Sequence, residues 1–350
     1  MSTREMTITE FMIEEQRRFP DASGDFTALL NYVRLACKRI SFIIGRGALA
    51  KDHGAAPAAE LDAVAKDIFL RTSEYGGHLA GMVCGELDAP HQIPAEYPRG
   101  QYLLAFDALS GSGNIDINAP VGSIFSVLKA PAGTAAPGVE DFLQPGSRQL
   151  CAGYAVYGAT TMLVLTVGRG VHGFTLDRGF GEFILTHPHM TIPGEASEFA
   201  INASNERFWE PPVKRYVTEC LAGHGGVRGK DFSMRWIASL VAEVHRILIR
   251  GGLFMYPREL KDPGKAGWLR LLYEANPMAM LVEQAGGAAS VGRSRVLDVQ
   301  PNALHQRVPL IFGCKTEVER LERYHLEHDQ GLDRIYSSPL FKERSLFLQT

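Results

Sequence analysis

Like charges never run together in this 350-residue chain: no five of one sign are consecutive, and the formal net charge is only −3. A nucleic-acid face or an anionic-membrane surface needs concentrated Lys and Arg, so neither is supported. Cysteine is scarce. Cys37, Cys84, Cys151, Cys220 and Cys314 are odd in number and scattered, with no CxxC pair and no Cys/His cluster. That argues against a zinc site or a disulfide framework and points to reduced thiols in a cytoplasmic setting. Long apolar runs are also missing. The longest, Tyr154 to Val167, is interrupted by Gly158, Thr160 and Thr161 and is too short to span a bilayer, so it reads as a buried strand. The opening MSTREMTITEF carries acids and no apolar core, unlike a signal peptide.

What is present is a composition of 45% hydrophobic and 21% charged residues, suited to a soluble globular protein of one large domain or two packed lobes. Leu29, Leu30, Val33, Ile40, Ile43 and Ile44 share one face of a helix predicted over 26–46, with Ser23 or Asp25 placed to cap it. A second helix is predicted over 61–75, ending at Gly76-Gly77. A strand over 101–106 breaks at Asp107 into a glycine-rich loop, and another covers 122–129. Segments 154–167, 170–176 and 181–185 read as an antiparallel meander. His187 to Gly194, with two prolines, is the expected boundary between an N-terminal lobe, 1–190, and a C-terminal lobe, 191–350. Beyond it come a helix over 233–250, a strand over 252–256, a helix opened by Asn276-Pro277 and a strand over 308–313. The class is α+β in layers.

The most informative stretch is Asp107-Ala-Leu-Ser-Gly-Ser-Gly-Asn-Ile-Asp116, directly after a hydrophobic strand. An acid at a strand end beside small residues can hold a divalent cation while backbone N–H groups receive a phosphate. A glycine-rich turn with an incidental acid explains the same stretch equally well. Taken alone, Glu274 is a helix-start acid and Asp62 a solvated helix residue.

This stretch resembles the FDPLDGSSNID signature of class I fructose-1,6-bisphosphatases, members of the metal-dependent, lithium-sensitive sugar phosphatase superfamily. Leu61-Asp62 is similar to the family's KKLD segment, Gly85-Glu86 to its SEE acid pair, and Gly122-Ser-Ile-Phe125 to its GTIF. ASLVAEVHRILIRGGLFMY, 238–256, and LRLLYEANPMAMLVEQAGG, 269–287, resemble long family blocks. The resemblance implies a layered αβαβα sandwich and magnesium-assisted in-line hydrolysis of the 1-phosphate of fructose 1,6-bisphosphate, with manganese as an alternative ion. By position it implies Asp107, the Leu109 carbonyl and Glu274 as metal ligands. Asp62 and Glu86 would activate the water, and the N–H groups around Ser110, Gly111, Ser112 and Gly113 would cradle the 1-phosphate. Asn202, Arg235 and Tyr256 would meet the far phosphate. In the family that arginine reaches across from a neighbouring subunit, so a homo-oligomer, usually a tetramer, is implied.

Several positions depart from the family pattern. Counting forward from Asp62, Gly85 takes the first acid of the SEE pair; counting back from Asp107 without a gap, Glu86 does. The second acid of DPLDG, a metal ligand, is Ser110, and its proline is Ala108. Ala56 replaces an acid upstream of Asp62, and Trp268 a substrate-contacting Lys or Arg. Trp236 and Asn205 stand where the family has phosphate-site tyrosines. Ser23, Gly24, Asp25, Phe26 and Thr27 resemble the family's AMP-binding turn at a helix N-terminus, and Tyr102 a nucleotide contact, but the adjoining lysine is Gln101. A plain helix cap explains 23–27 as well. The implied activity is that of a fructose-bisphosphatase in gluconeogenesis or carbon fixation. A sedoheptulose-1,7-bisphosphatase and a catalytically impaired paralogue that binds sugar phosphate are the alternatives.

Overall fold

Leu29, Leu30, Val33 and Ile40 of the expected stripe lie on the buried face of a long helix together with Ala36 and Cys37, while Ile43 and Ile44 are half-buried. The computed structural model describes residues 5–18, 24–47, 58–134, 136–262 and 264–332. Helices are α1 Ile8–Gln16, α2 Asp25–Arg46, α3 Ala58–Ser73, the single turn α4 Val139–Phe142, α5 Pro211–Leu221, α6 Leu240–Arg250, α7 Asn276–Gln284 and α8 Lys315–Asp329.

The N-terminal strands are β1 Leu79–Cys84, β2 His91–Gln92, β3 Tyr102–Ser110, β4 Val121–Lys129, β5 Cys151–Tyr157, β6 Thr161–Thr166, β7 Val171–Asp177 and β8 Glu182–Met190. They form one sheet in the order β2-β1-β3-β4-β5-β6-β7-β8. Only β1 and β3 run parallel. A second sheet joins β9 Glu198–Ala200, β10 Ser233–Met234, β11 Leu253–Tyr256, β13 Ala288–Ser290 and β15 Leu310–Gly313 in the order β10-β9-β11-β15-β13. Short β12, Leu269–Arg270, pairs with β14, Arg307–Val308.

The cores define five layers. One face of the large sheet packs α1 to α3 through residues such as Phe11, Leu29, Phe69, Phe106 and Phe125. Its other face packs α6 and α7, which also meet Phe254, Leu310 and Phe312 of the second sheet. The outer face of that sheet carries α5 and α8, through Val213, Tyr216, Val217, Val318 and Leu321. The result is the expected α+β sandwich, αβαβα. Phe69 stacks on Phe106 at 4.8 Å between centroids. Burying one such side chain contributes about 1.5–3 kcal/mol.

Four expectations are corrected. Residues 154–167 are two strands, because Gly158 to Thr160 turn the chain between β5 and β6. The segment reads as continuous since both faces are buried, which removes any alternation. The helix expected from Ser233 begins at Leu240. Ser233 and Met234 pair with β9 instead, and Ala238 takes a left-handed φ of 59° just before the helix. The strand expected at 181–185 runs on to Met190, through the first part of the proposed boundary. Finally, β3 does not break at Asp107 but continues to Ser110. No helix among the described residues is long and apolar enough to cross a membrane.

Candidate active site

β1 ends at Cys84, opposite Phe106, while β3 runs on to Ser110. Gly85-Glu86 therefore leave β1 next to Asp107, where side chains from the two strands converge. Opposite β4, Asp107 pairs with Ile124 and Ser110 with Gly122, so β3 carries one extra residue between them. This bulge re-aims the strand. Its Ala108 carbonyl accepts from the buried Ser123 hydroxyl at 2.6 Å. Ser123 in turn accepts from Tyr157 at 2.7 Å, since its own proton is committed.

Past the bulge, Gly111 has φ 78°, a conformation that favours glycine, and a short 3-10 turn spans Ser112–Asn114. Ser112 Oγ donates to Asp62 Oδ2 on α3 at 2.9 Å. Asn114 Nδ2 donates to the Ala238 carbonyl at 2.9 Å. The phosphate-loop candidates Ser110 to Gly113 thus lie between α3 and the start of α6. Ser239, which opens α6, is buried next to Gly111, and its hydroxyl has no hydrogen-bond partner.

Glu274 comes from the other half of the chain, on the π-helical turn Leu271–Ala275 that precedes α7. Single π turns often mark functional positions. Its Oε2 accepts the Arg270 amide at 2.7 Å. Burial, then the Glu274 and Glu86 carboxylates, push Asp107 up to about 8, against a hydrogen bond from Ser110 and the Arg270 charge. Glu274 is raised by burial, against the Arg270 amide and the Arg270 and Arg307 charges. Burial also raises Asp62; Ser112 opposes the shift and Glu86 adds to it.

Two mutually repelling carboxylates are a pair of hard oxygen donors whose repulsion a divalent ion would relieve. Among the described residues, no three His, Cys, Asp or Glu side chains gather as a metal set. Asp107 and Glu274 are the side chains that could hold a hard divalent ion here.

Sequence reasoning passed over Arg270, although it stands inside the LRLLYE block. Its guanidinium lies 3.9 Å from Glu86 Oε1 and occupies the space into which a side chain on Gly85 would point. Gly85 is not among the positive-φ glycines. Space, rather than backbone conformation, is what a side chain there must contend with.

The sugar-end candidates also sit at strand ends. β9 runs parallel to β10 and β11, and Asn202, Arg235 and Tyr256 all fall at their C-terminal ends. Asn202 Oδ1 accepts from Ser204 N at 3.2 Å and so caps a 3-10 turn. Arg235, more than half exposed, reaches Glu198 at 3.5 Å. Tyr256 lies between Trp236 and Trp268, at 6.0 and 6.3 Å between centroids. Trp268 is not without a cation, because Lys265 Nζ sits 3.2 Å over its ring. Tyr256 is raised by burial, with the Glu259 and Glu274 charges adding to the shift.

At the nucleotide-like turn, Ser23 lies outside the described residues. Gly24, φ 86°, is the N-cap of α2 and makes no side-chain cap. Asp25 contacts His78 at 3.3 Å, and Phe26 packs on Tyr102 at 5.6 Å. Thr27 Oγ1 donates to Gln16 Oε1 at 2.8 Å.

Two family models match, "Fructose-1-6-bisphosphatase, N-terminal domain" over residues 6–188 and "Fructose-1-6-bisphosphatase, C-terminal domain" over 192–326. The chain is 58% identical to "Fructose-1,6-bisphosphatase class 1" of Hydrogenophilus thermoluteolus, over 97% of each chain. It is 55% identical to a class 1 relative from Methylibium petroleiphilum, over 98% of each. Its fold matches Leishmania major fructose-1,6-bisphosphatase in holo form with a TM-score of 0.85 at 39% identity, over 92% of this chain and 99% of that one. The chain belongs to the class 1 fructose-1,6-bisphosphatases.

Proposed function

We propose that this chain hydrolyses the 1-phosphate of fructose 1,6-bisphosphate, giving fructose 6-phosphate and phosphate, at the junction of lobes 1–190 and 191–350. The observation that carries the reading is the packing of β3, with Asp107, against the π-helical turn that bears Glu274, which brings acids from different halves of the chain beside the Ser110 to Gly113 loop. The family is metal-dependent, and magnesium suits two carboxylates and the Leu109 carbonyl, with manganese as an alternative. When bound, the ion supplies Lewis acidity at the phosphoryl oxygens.

Asp62 is the proton acceptor for the attacking water. Its raised carboxyl is oriented by Ser112, and Glu86 supports it electrostatically. Water adds to phosphorus as the bond to the sugar's C1 oxygen breaks; that oxygen takes a proton from solvent, and Asp62 releases to solvent the one it accepted. Backbone N–H groups of the loop steady the phosphoryl oxygens. Asn202, Arg235 and Tyr256 hold the far phosphate, with Lys265 over Trp268 supplying charge near the sugar. The exposure of Arg235 supports its reaching a neighbouring subunit, hence a homo-oligomer, and the buried thiols support a cytoplasmic setting.

Gly85 and Ser110 remove two carboxylates, so the expected metal requirement is high. Phosphate release from fructose 1,6-bisphosphate should keep rising with magnesium well above the millimolar range. Saturation at sub-millimolar magnesium would contradict the site as drawn, and no release at any concentration would favour the impaired paralogue.

AMP is expected to bind weakly. Gln101 supplies no charge, Thr27 is occupied by Gln16, and Asp25 puts an acid where phosphate would approach. Calorimetry should show no tight site, whereas Gln101→Lys should improve binding by roughly tenfold, the order of one charge-assisted contact. Tight binding by the natural chain would overturn this.

A further inference from the structure

Gly85 and Arg270 belong to different halves of the chain, yet a Cβ on Gly85 would fall on the Arg270 guanidinium. The guanidinium is seated over the Gly85 backbone, in the volume a side chain at that position would fill. The β12–β14 pairing fixes its backbone, where Arg270 is opposite Arg307. From this seat the cation lies 3.9 Å from Glu86, and its charge reaches both Asp107 and Glu274. The Arg270 amide holds Glu274 at 2.7 Å. One residue therefore serves three carboxylates that come from β3, the turn after β1 and the π-helical turn.

We propose that Arg270 is a resident cation that takes the place of one divalent ion, so that this chain binds a single divalent ion, between Asp107 and Glu274. The proposal rests on the metal-dependent reading above. Three carboxylates are balanced by one guanidinium and one divalent ion. A second ion would have to enter beside a fixed positive charge, and among the described residues no three acidic or other ligating side chains gather to hold it. Glycine at 85 is what makes room for this arrangement, since any side chain there displaces the guanidinium.

The test is a titration with Mn2+ alone, without substrate, followed by the spectroscopic signal of the free ion, together with melting of the metal-free protein. The natural chain should take up one Mn2+. Arg270→Gln should take up a second and should melt several degrees lower without metal, because three carboxylates then face each other unrelieved. Gly85→Ala is the gentler variant, available even if Arg270→Gln fails to fold. It adds one methyl at an ordinary φ, and it should likewise lower metal-free melting and ease uptake of the second ion. Two or more ions on the natural chain, or an ion count and melting temperature unchanged in both variants, would overturn the proposal. Uptake by Arg270→Gln but none by the natural chain would sustain the resident cation and sink the metal-dependent function. No uptake by either, with unchanged melting, would sink both.

Discussion

Asp107→Asn is expected to lower metal-dependent phosphate release by at least about 100-fold while raising the melting temperature of the metal-free protein. The two effects have one origin. Asp107 is held among Glu274 and Glu86, and burial and those charges push it up to about 8. An ionised carboxylate there is useful to a divalent ion and costly without one. The sign with pH follows. A carboxyl whose folded value exceeds its unfolded one gives its full stability below the ordinary carboxylate range, and that stability is lost as pH rises toward 8. The upward shifts of Glu274 and Asp62 act in the same direction. The metal-free protein should therefore melt lower at pH 8 than at pH 5, and Asp107→Asn should flatten that slope. Added magnesium should stabilise the natural chain more at pH 8, where the carboxylates are ionised. Retained activity, or a variant no more stable at pH 8, would remove Asp107 from the role assigned to it.

The second large effect is a gain. Gly85→Glu with Ser110→Asp should raise magnesium-dependent phosphate release by about tenfold or more, since losing even a supporting partner typically costs a metal site about 10–100-fold. The two changes should be more than additive, because both carboxylates would serve one ion site. Gly85→Glu alone should gain less. Its side chain displaces the Arg270 guanidinium, which can then pair with the new carboxylate until a second acid at 110 helps hold the ion. Kinetics across magnesium concentrations on the single and double variants, with melting as a check on folding, would decide. A double variant that folds normally yet gains nothing would mean that the site has diverged beyond its ligands.

How much of this was legible beforehand varies by residue. The stripe from Leu29 to Ile44 predicted its helix because one face is buried, fully as far as Ile40 and partly at Ile43 and Ile44, and the other is wet. By contrast, β5 and β6 are buried on both faces, so nothing in 151–166 marks two strands except the turn at Gly158. α5 carried a usable signal that was passed over: Pro211-Pro212 at its start, then Val213, Tyr216, Val217 and Cys220 on one face. In the site, Asp107 was readable from a hydrophobic strand running into a glycine loop. The bulge was not, because register against β4 is a tertiary property. The LRLLYE block could have drawn attention to Arg270, but its seat was unreadable for the same reason: it fills the space of an absent side chain, and only the fold brings Gly85 beneath it. Lys265 over Trp268 likewise turns an apparent loss of charge into a relocated one.

All five cysteines are buried, and burial raises each thiol, with Cys37, Cys84 and Cys220 pushed up to about 12. Thiolate is the form that attacks disulfides and peroxides. While folded, this chain offers such oxidants almost nothing to react with. Oxidation of its thiols would first require the fold to open, so the core itself shields them.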